Sequence, residues 1–114
     1  MKIFLAAISL WIISTGFSYA QVSQATGGPF AVVELFASEG CSSCPPADEL
    51  LSAITTAARS QKKRIFTLSF QVDYWNYLGW QDPFSSPENS QRQQQYARFL
   101  PGGVYTPEMI INGK

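Results

Sequence analysis

The chain has 114 residues, with eight Lys and Arg against eight Asp and Glu, and no histidine. The balanced charge gives no reason to expect a nucleic-acid partner or an anionic membrane surface. The lack of histidine excludes Ser-His-Asp and Cys-His nucleophilic systems, and the two cysteines are only half of the four ligands that zinc normally takes. A metal would need ligands from a second chain, and no cofactor is expected.

Residues 1–20 have the pattern of a secretory signal peptide. Lys2 carries the only charge, residues 3–13 are apolar apart from one serine, and Ser18 and Ala20 place small side chains before a cleavage site. A retained membrane anchor is the alternative, but spanning needs roughly 20 strongly apolar residues. The pattern predicts export to the periplasm or beyond, with cleavage after Ala20 and no stable membrane insertion afterwards.

The rest of the chain predicts a flexible leader over residues 21–29 and one domain over residues 30–114. Residues 30–36 are β-branched and aromatic, as in a mostly buried strand. From Ala47, apolar residues recur at helical spacing, at positions 47, 50, 51, 54, 57 and 58. Residues 65–72 alternate apolar and polar side chains and predict a second strand. Strand, helix and strand in this order imply a parallel pair with a right-handed crossover.

Two more elements follow. Ser86 as the N-cap and Pro87 at the first position predict a helix that ends before Pro101, and its middle, residues 91–95, is polar enough to face solvent. Residues 108–111 predict a third strand. Asn112-Gly113 has the composition of a two-residue hairpin turn, after which only Lys114 remains.

The two cysteines stand between the first strand and the first helix. A strand that leads into Cys41-Ser42-Ser43-Cys44 and then a helix is a specific pattern, and a later X-Pro before a strand adds to it. The whole order of elements resembles the thioredoxin superfamily. The resemblance implies a cis Thr106-Pro107 bond with Pro107 against the disulfide. It also implies a C-terminally truncated thioredoxin-like α/β fold, without the last hairpin strand and the closing helix.

A closer resemblance covers nearly all of the mature chain. Six runs look like the exported bacterial family catalogued as domain of unknown function 1223. They are residues 33–36 (VELF), 40–48 (GCSSCPPAD), 72–75 (VDYW), 78–80 (LGW), 82–84 (DPF) and 104–107 (VYTP). That family has no established reaction, so the chemistry has to be argued from the residues.

The leading hypothesis is thiol-disulfide exchange with cysteine-containing exported proteins or small thiols. Cys41 is expected to be the exposed nucleophile, and Cys44, covered by its own helix, is expected to resolve the mixed disulfide. Helix N-terminal amides would stabilise the thiolate. Because Pro45 disfavours the helical region at Cys44, however, the helix is expected to begin near Pro46 and to help Cys41 less.

The alternative is a non-catalytic binding protein in which Cys41 and Cys44 form a permanent structural disulfide. Closing about four residues stabilises by roughly 2 kcal/mol on the chain-entropy model, which is weak for a structural bond and favours the redox hypothesis. The central Ser42-Ser43 matches neither a strong reductant nor a strong oxidant. The direction of exchange and the electron donor therefore stay open.

Glu34 is a candidate proton shuttle. The buried carboxylate of thioredoxin lies six positions before the first cysteine, where this chain has Leu35. Since strand residues alternate between faces, a shift of one position points the Glu34 side chain the other way. The competing interpretation is a structural carboxylate near the strand edge.

Five aromatic residues lie within 11 positions, at Tyr74, Trp75, Tyr77, Trp80 and Phe84. Because the carboxyl ends of parallel strands meet at one edge of a sheet, this segment is expected beside Cys41. It can be a small core that fastens a long connection, or an edge that binds a peptide or apolar ligand. The candidate binding residues are Thr106, Tyr74, Trp75 and Trp80.

Overall fold

The computed structural model describes residues 27–114 and places them in a mixed α/β fold, as predicted. The predicted signal peptide, its cleavage site and most of the leader lie outside the described residues. The elements are β1 (Ala31–Ala37), α1 (Pro45–Ser60), β2 (Ile65–Gln71), a 3-10 helix (Asn76–Leu78), α2 (Pro87–Tyr96) and β3 (Glu108–Ile111). Within residues 27–114, none of the helices has the length and apolar character needed to cross a membrane.

The strands form one three-stranded sheet in the order β2-β1-β3. β1 runs parallel to β2, with Ala31 opposite Ile65, which confirms the predicted parallel pair. β3 runs antiparallel to β1, with Val33 opposite Ile111. β1 is therefore the central strand, and the loop that follows it carries the cysteines.

Alternation along β1 divides the core into two clusters. Val33, Leu35 and Ala37 point to the α1 side, where they pack with Leu51 and with both cysteines. Phe36 points to the other side, where it packs with buried residues of the neighbouring segments and with Tyr96. The cysteines thus belong to the core on the α1 side of the sheet.

The start of α1 corrects one expectation. The helix begins at Pro45, and Cys44 as its N-cap has helical backbone angles (φ −79°, ψ −32°), so the prediction that Pro45 keeps Cys44 out of this region is wrong. The Cys44 carbonyl accepts the N–H groups of Ala47 and Asp48 at 2.9 and 3.1 Å. These bonds close the first turn of the helix and offset the steric preference of a residue before proline for extended backbone angles. Pro45 and Pro46 have no backbone N–H, so the start of this helix still lacks two hydrogen-bond donors.

The N-cap of α2 confirms its prediction. The Ser86 hydroxyl accepts the N–H of Asn89 at 3.2 Å, and Pro87 follows at the first position. The helix ends at Tyr96, before Pro101 as predicted. The chain continues in turns because Pro101 has no N–H and the next two residues, both glycines, have positive φ.

The turn after β3 has the predicted form. Asn112 and Gly113 have φ of 52° and 78°, and Ile111 and Lys114 exchange backbone hydrogen bonds of 2.9 and 3.1 Å. Positive φ at both central positions is the conformation of a two-residue hairpin turn, for which Asn-Gly is the preferred sequence. The turn at Asn112-Gly113 therefore follows from local sequence.

Candidate functional site

The cysteines lie between the end of β1 and the start of α1. Cys41 and Cys44 form a disulfide with their Cα atoms 5.5 Å apart. Cys41 is 2% exposed and Cys44 is 1% exposed. The prediction that Cys41 faces solvent is therefore wrong, because Trp75 packs against its cluster and Thr106 contacts its sulfur.

The two sulfur atoms differ in their polar contacts. Thr106 Oγ1 lies 3.3 Å from Cys41 Sγ, and Ser43 Oγ lies 3.6 Å from the same sulfur. A disulfide sulfur carries no proton, so both hydroxyls donate to it. Hydrogen-bond donors aimed at an atom favour its charged form. These contacts therefore favour negative charge on Cys41 when the bond is reduced.

Thr106 and Pro107 lie in the loop before β3. Their peptide bond is cis, which confirms the prediction. Thr106 makes the contact with Cys41, and both residues are half-buried. The structure thus brings Thr106 to the cysteine pair, as the sequence predicted for this segment.

Gln93 of α2 holds this loop. Its Nε2 donates to the Tyr105 carbonyl at 2.6 Å and to the Glu108 carboxylate at 2.7 Å, while its Oε1 accepts from the Tyr74 hydroxyl at 2.9 Å. Gln93 is 0% exposed, so the prediction that residues 91–95 face solvent is wrong at this position. Burial raises the pKa of Tyr74 above its ordinary value, which keeps the phenol protonated as a donor. Gln93 is a site residue that the sequence analysis missed.

The aromatic segment divides into an inner and an outer part. Tyr74 and Trp75 are half-buried and pack against the core clusters, and Trp75 places the segment beside Cys41 as predicted. The outer residues are Tyr77 (78% exposed), Trp80 (59%) and Phe84 (72%). Of the candidate binding residues, the structure brings the half-buried Thr106, Tyr74 and Trp75 together, whereas Trp80 lies exposed on the surface, where its N–H bonds to Glu39.

Asp82 fastens this segment to the loop before the cysteines. Its buried carboxylate accepts the backbone N–H of Glu39 at 3.0 Å and that of Phe84 at 2.8 Å. Burial, and then the negative charge of Asp82, raise the pKa of Asp48 in the first turn of α1.

In the part of the chain that the structure describes, no three His, Cys, Asp or Glu side chains converge as a metal site would require.

Glu34 lies on the opposite face of the sheet from the cysteines. Its buried carboxylate accepts Arg92 Nε at 2.7 Å, pairs with the second guanidinium nitrogen of Arg92 at 2.5 Å, and accepts the Tyr96 hydroxyl. This geometry matches the interpretation of Glu34 as a structural carboxylate. Glu34 lies on the central strand, however, and not near an edge. Glu34 fastens α2 to β1.

The Glu34–Tyr96 contact predicts a loss of stability at alkaline pH. The hydrogen bond with Glu34, and then burial, raise the pKa of Tyr96. A group with a raised folded-state pKa stabilises the fold fully below its unfolded pKa, about 10, and this contribution is lost as the pH rises through the raised value. We therefore expect the free energy of unfolding to fall above about pH 10, as measured by urea unfolding of the disulfide-bonded protein.

Two variants test the assignment to Tyr96. Tyr96→Phe lacks this phenol and should lose less stability over the alkaline range than the unsubstituted protein. Tyr77→Phe changes an exposed tyrosine and should behave like the unsubstituted protein. An alkaline loss of equal size in Tyr96→Phe and the unsubstituted protein would contradict the prediction.

Comparison with known proteins gives a family and a solved relative. The family model described as "Protein of unknown function (DUF1223)" matches residues 32–114. The crystal structure of protein AGR_C_4864 from Agrobacterium tumefaciens is similar, with 52% identity and a TM-score of 0.65. The match covers 74% of this chain and 36% of that one, so the chain spans little more than a third of the solved protein. No curated protein matches. By its match to the family model, this chain belongs to the DUF1223 family.

Proposed function

We propose that this protein is an exported thiol-disulfide oxidoreductase of the thioredoxin-like type, located in the periplasm or secreted. The observation that carries the proposal is the Thr106 hydroxyl, 3.3 Å from Cys41 Sγ in the loop between β1 and α1. A donor aimed at one sulfur makes the two cysteines chemically unequal. Such inequality suits exchange, because the rate depends on the thiolate fraction of the attacking cysteine and on the pKa of the leaving one.

The order of elements supports the thioredoxin-like part of the proposal. The cysteine pair stands at the start of α1, and the Thr106-Pro107 loop lies beside it before the antiparallel strand β3.

Export is supported by the sequence of residues 1–20 and suits the proposed chemistry. The charged start, apolar run and small-residue exit are those of a signal peptide. An exported chain reaches an oxidising compartment, where cysteine pairs form and exchange. The expected partners are exported proteins with cysteines, or small thiols.

The exchange step begins from the disulfide. A partner thiolate attacks Cys41 Sγ, the Cys41–Cys44 bond breaks, and Cys44 leaves as a thiolate that takes a proton from solvent. A second partner thiolate then attacks the partner sulfur of the mixed disulfide, and Cys41 leaves. The partner dithiol loses two electrons and becomes a disulfide, and this protein gains them as two thiols. The same steps in reverse reduce a partner disulfide.

A second candidate function is favoured by the burial of the cysteines. With exposures of 2% and 1%, a partner reaches Cys41 Sγ only after the covering residues move. A permanent structural disulfide needs no such access. In that case the exposed aromatics Tyr77, Trp80 and Phe84 would form the ligand edge of a non-catalytic binding protein.

The reduction potential of the Cys41–Cys44 pair separates the two functions. We expect a value between about −270 and −120 mV, the range of catalytic pairs, whereas structural disulfides lie below about −300 mV. The protein is equilibrated with mixtures of reduced and oxidised glutathione or dithiothreitol, and its free thiols are counted by alkylation and mass spectrometry. The unsubstituted protein in excess dithiothreitol sets the fully reduced baseline of two free thiols, and the Cys41→Ser variant, which has one thiol and cannot form the bond, shows how much a single cysteine reacts with glutathione. A potential below about −300 mV would overturn the proposal in favour of the binding protein.

A further inference from the structure

A chain of two hydrogen bonds leads from the aromatic segment to the disulfide. Trp75 Nε1 lies 2.8 Å from Thr106 Oγ1, and Thr106 Oγ1 lies 3.3 Å from Cys41 Sγ. An indole N–H can only donate, so the Thr106 oxygen accepts from Trp75. The single proton of the Thr106 hydroxyl is then free to point away from the indole, towards the sulfur.

We propose that Trp75 is a positioning residue for the attacking thiol, because it fixes the direction in which the Thr106 hydroxyl donates. This inference rests on the proposed redox function. It identifies Trp75 as the residue through which the Thr106 hydroxyl favours the thiolate form of Cys41. Trp75 acts only through Thr106. It is therefore not a catalytic residue itself.

The local packing holds the indole in place. Trp75 packs against the core cluster that contains both cysteines. A Cβ atom added at Gly40 would lie 3.2 Å from Trp75 Cβ, a tight contact that would push the two segments apart by a few tenths of an ångström. The indole is thereby held between the loop before Cys41 and the loop before Pro107.

The start of α1 explains why side-chain donors are needed here. Pro45 and Pro46 remove two N–H groups from the helix start, where amides would otherwise stabilise a thiolate. In residues 27–114, the hydrogen bonds to Cys41 Sγ come from the hydroxyls of Thr106 and Ser43, and none comes from a backbone N–H. Thr106 is the closer donor. Its orientation therefore matters more than it would beside an ordinary helix N-terminus.

Three titratable groups lie near this chain of bonds. The Tyr74 hydroxyl also lies close to Thr106 and donates its own proton to Gln93, so its oxygen is a second acceptor for the Thr106 proton. The hydrogen bond that the structure shows from the Thr106 hydroxyl is the one to Cys41 Sγ. The buried Glu108 carboxylate accepts a hydrogen bond from Gln93. Asp48 lies in the first turn of α1. None of these stands between Trp75 and Cys41, so the test below changes only uncharged donors.

The test measures the alkylation of Cys41 by iodoacetamide as a function of pH, in the full chain carrying Cys44→Ser so that Cys41 is the single thiol. Thr106→Val should move the midpoint of this profile up by about one pH unit, the effect of losing a hydrogen bond to a charged group. Thr106→Ser keeps the hydroxyl and should restore the original midpoint. Trp75→Phe should move the midpoint in the same direction by a smaller amount.

The combination of variants separates positioning from a general structural effect. In the Thr106→Val background, Trp75→Phe should cause no further shift, because Trp75 acts through the hydroxyl that is already gone. Thr56→Val, the same substitution at an exposed threonine of α1, should leave the midpoint unchanged. If Trp75→Phe disturbs folding, replacement of Trp75 by benzothienylalanine keeps the bicyclic shape, puts a sulfur that cannot donate in place of the N–H, and should give the same shift.

Two results would overturn the inference while leaving the proposed function intact. One is an unchanged midpoint on removal of the indole N–H in a protein whose Cys41 still reacts. The other is a shift from Trp75→Phe of the same size with and without the Thr106 hydroxyl. By contrast, a Cys41 thiol that fails to react in the Cys44→Ser protein at any pH would count against both the inference and the redox function on which it rests.

Discussion

Replacing Gln93 by Leu is expected to lower the free energy of unfolding by about 3 to 5 kcal/mol. Gln93 is fully buried and bonds to the Tyr74 hydroxyl, the Tyr105 carbonyl and the Glu108 carboxylate. Leucine fills nearly the same volume but leaves these three groups without their partner. A buried polar group without a partner costs about 1–3 kcal/mol, and a charged group costs more. Urea unfolding of the disulfide-bonded protein at neutral pH measures the change.

Gln94→Leu is the matched control for this experiment. It makes the same substitution at the next position of α2, where the side chain is exposed. Its effect should stay within about 0.5 kcal/mol, as is usual for surface positions. Equal unfolding free energies for the two variants would mean that the buried hydrogen bonds of Gln93 do not hold the Thr106 loop in place.

Gln93 illustrates where sequence reasoning fails on this chain. Ser90, Gln93 and Tyr96 follow helical spacing and form the inward face of α2, but their polar character resembles a solvent-exposed face. The partners of Gln93 lie 12 to 19 positions away along the chain. Only the tertiary fold brings them together, so no local pattern marks this residue as buried.

Elements with strong local signals were predicted correctly. The Ser86 N-cap with Pro87, and the Asn112-Gly113 turn, each depend on backbone preferences within a few residues, and the structure has both. The same holds for Glu34: alternation along a strand is enough to place it on the face away from the cysteines. Its pairing with Arg92 could not be foreseen, because that residue lies 58 positions further along the chain.

The burial of Cys41 depends on contacts that the local sequence does not contain. Thr106, which contacts its sulfur, is 65 positions away, and Trp75 reaches the cluster from the segment after β2. At Cys44, the following proline disfavours helical backbone angles, but the two hydrogen bonds that the Cys44 carbonyl accepts outweigh this preference. The sequence therefore predicted that Thr106 and Trp75 lie beside Cys41, but it did not predict that Cys41 is buried.

The Cys44→Ser variant is expected to accumulate a stable mixed disulfide at Cys41. Oxidised glutathione is a defined probe: the Cys41 thiolate attacks it, one glutathione leaves as a thiolate, and the other stays bonded to Cys41. In the reduced unsubstituted protein, Cys44 then attacks Cys41 Sγ and releases the second glutathione. Intact mass spectrometry should therefore find a persistent glutathione adduct in Cys44→Ser and little or none in the unsubstituted protein.

The Cys41→Ser variant is the matched control, because it leaves the other cysteine as the single thiol. Cys44 lacks the contact with the Thr106 hydroxyl that favours a thiolate at Cys41, so this variant should form the adduct more slowly at the same pH. A purely structural disulfide gives a different pattern. Both substitutions would then lower the unfolding free energy by a similar amount, roughly 2 kcal/mol, and neither folded variant would form the adduct. That result, or equal rates of adduct formation at the two cysteines, would contradict the assignment of Cys41 as the attacking residue.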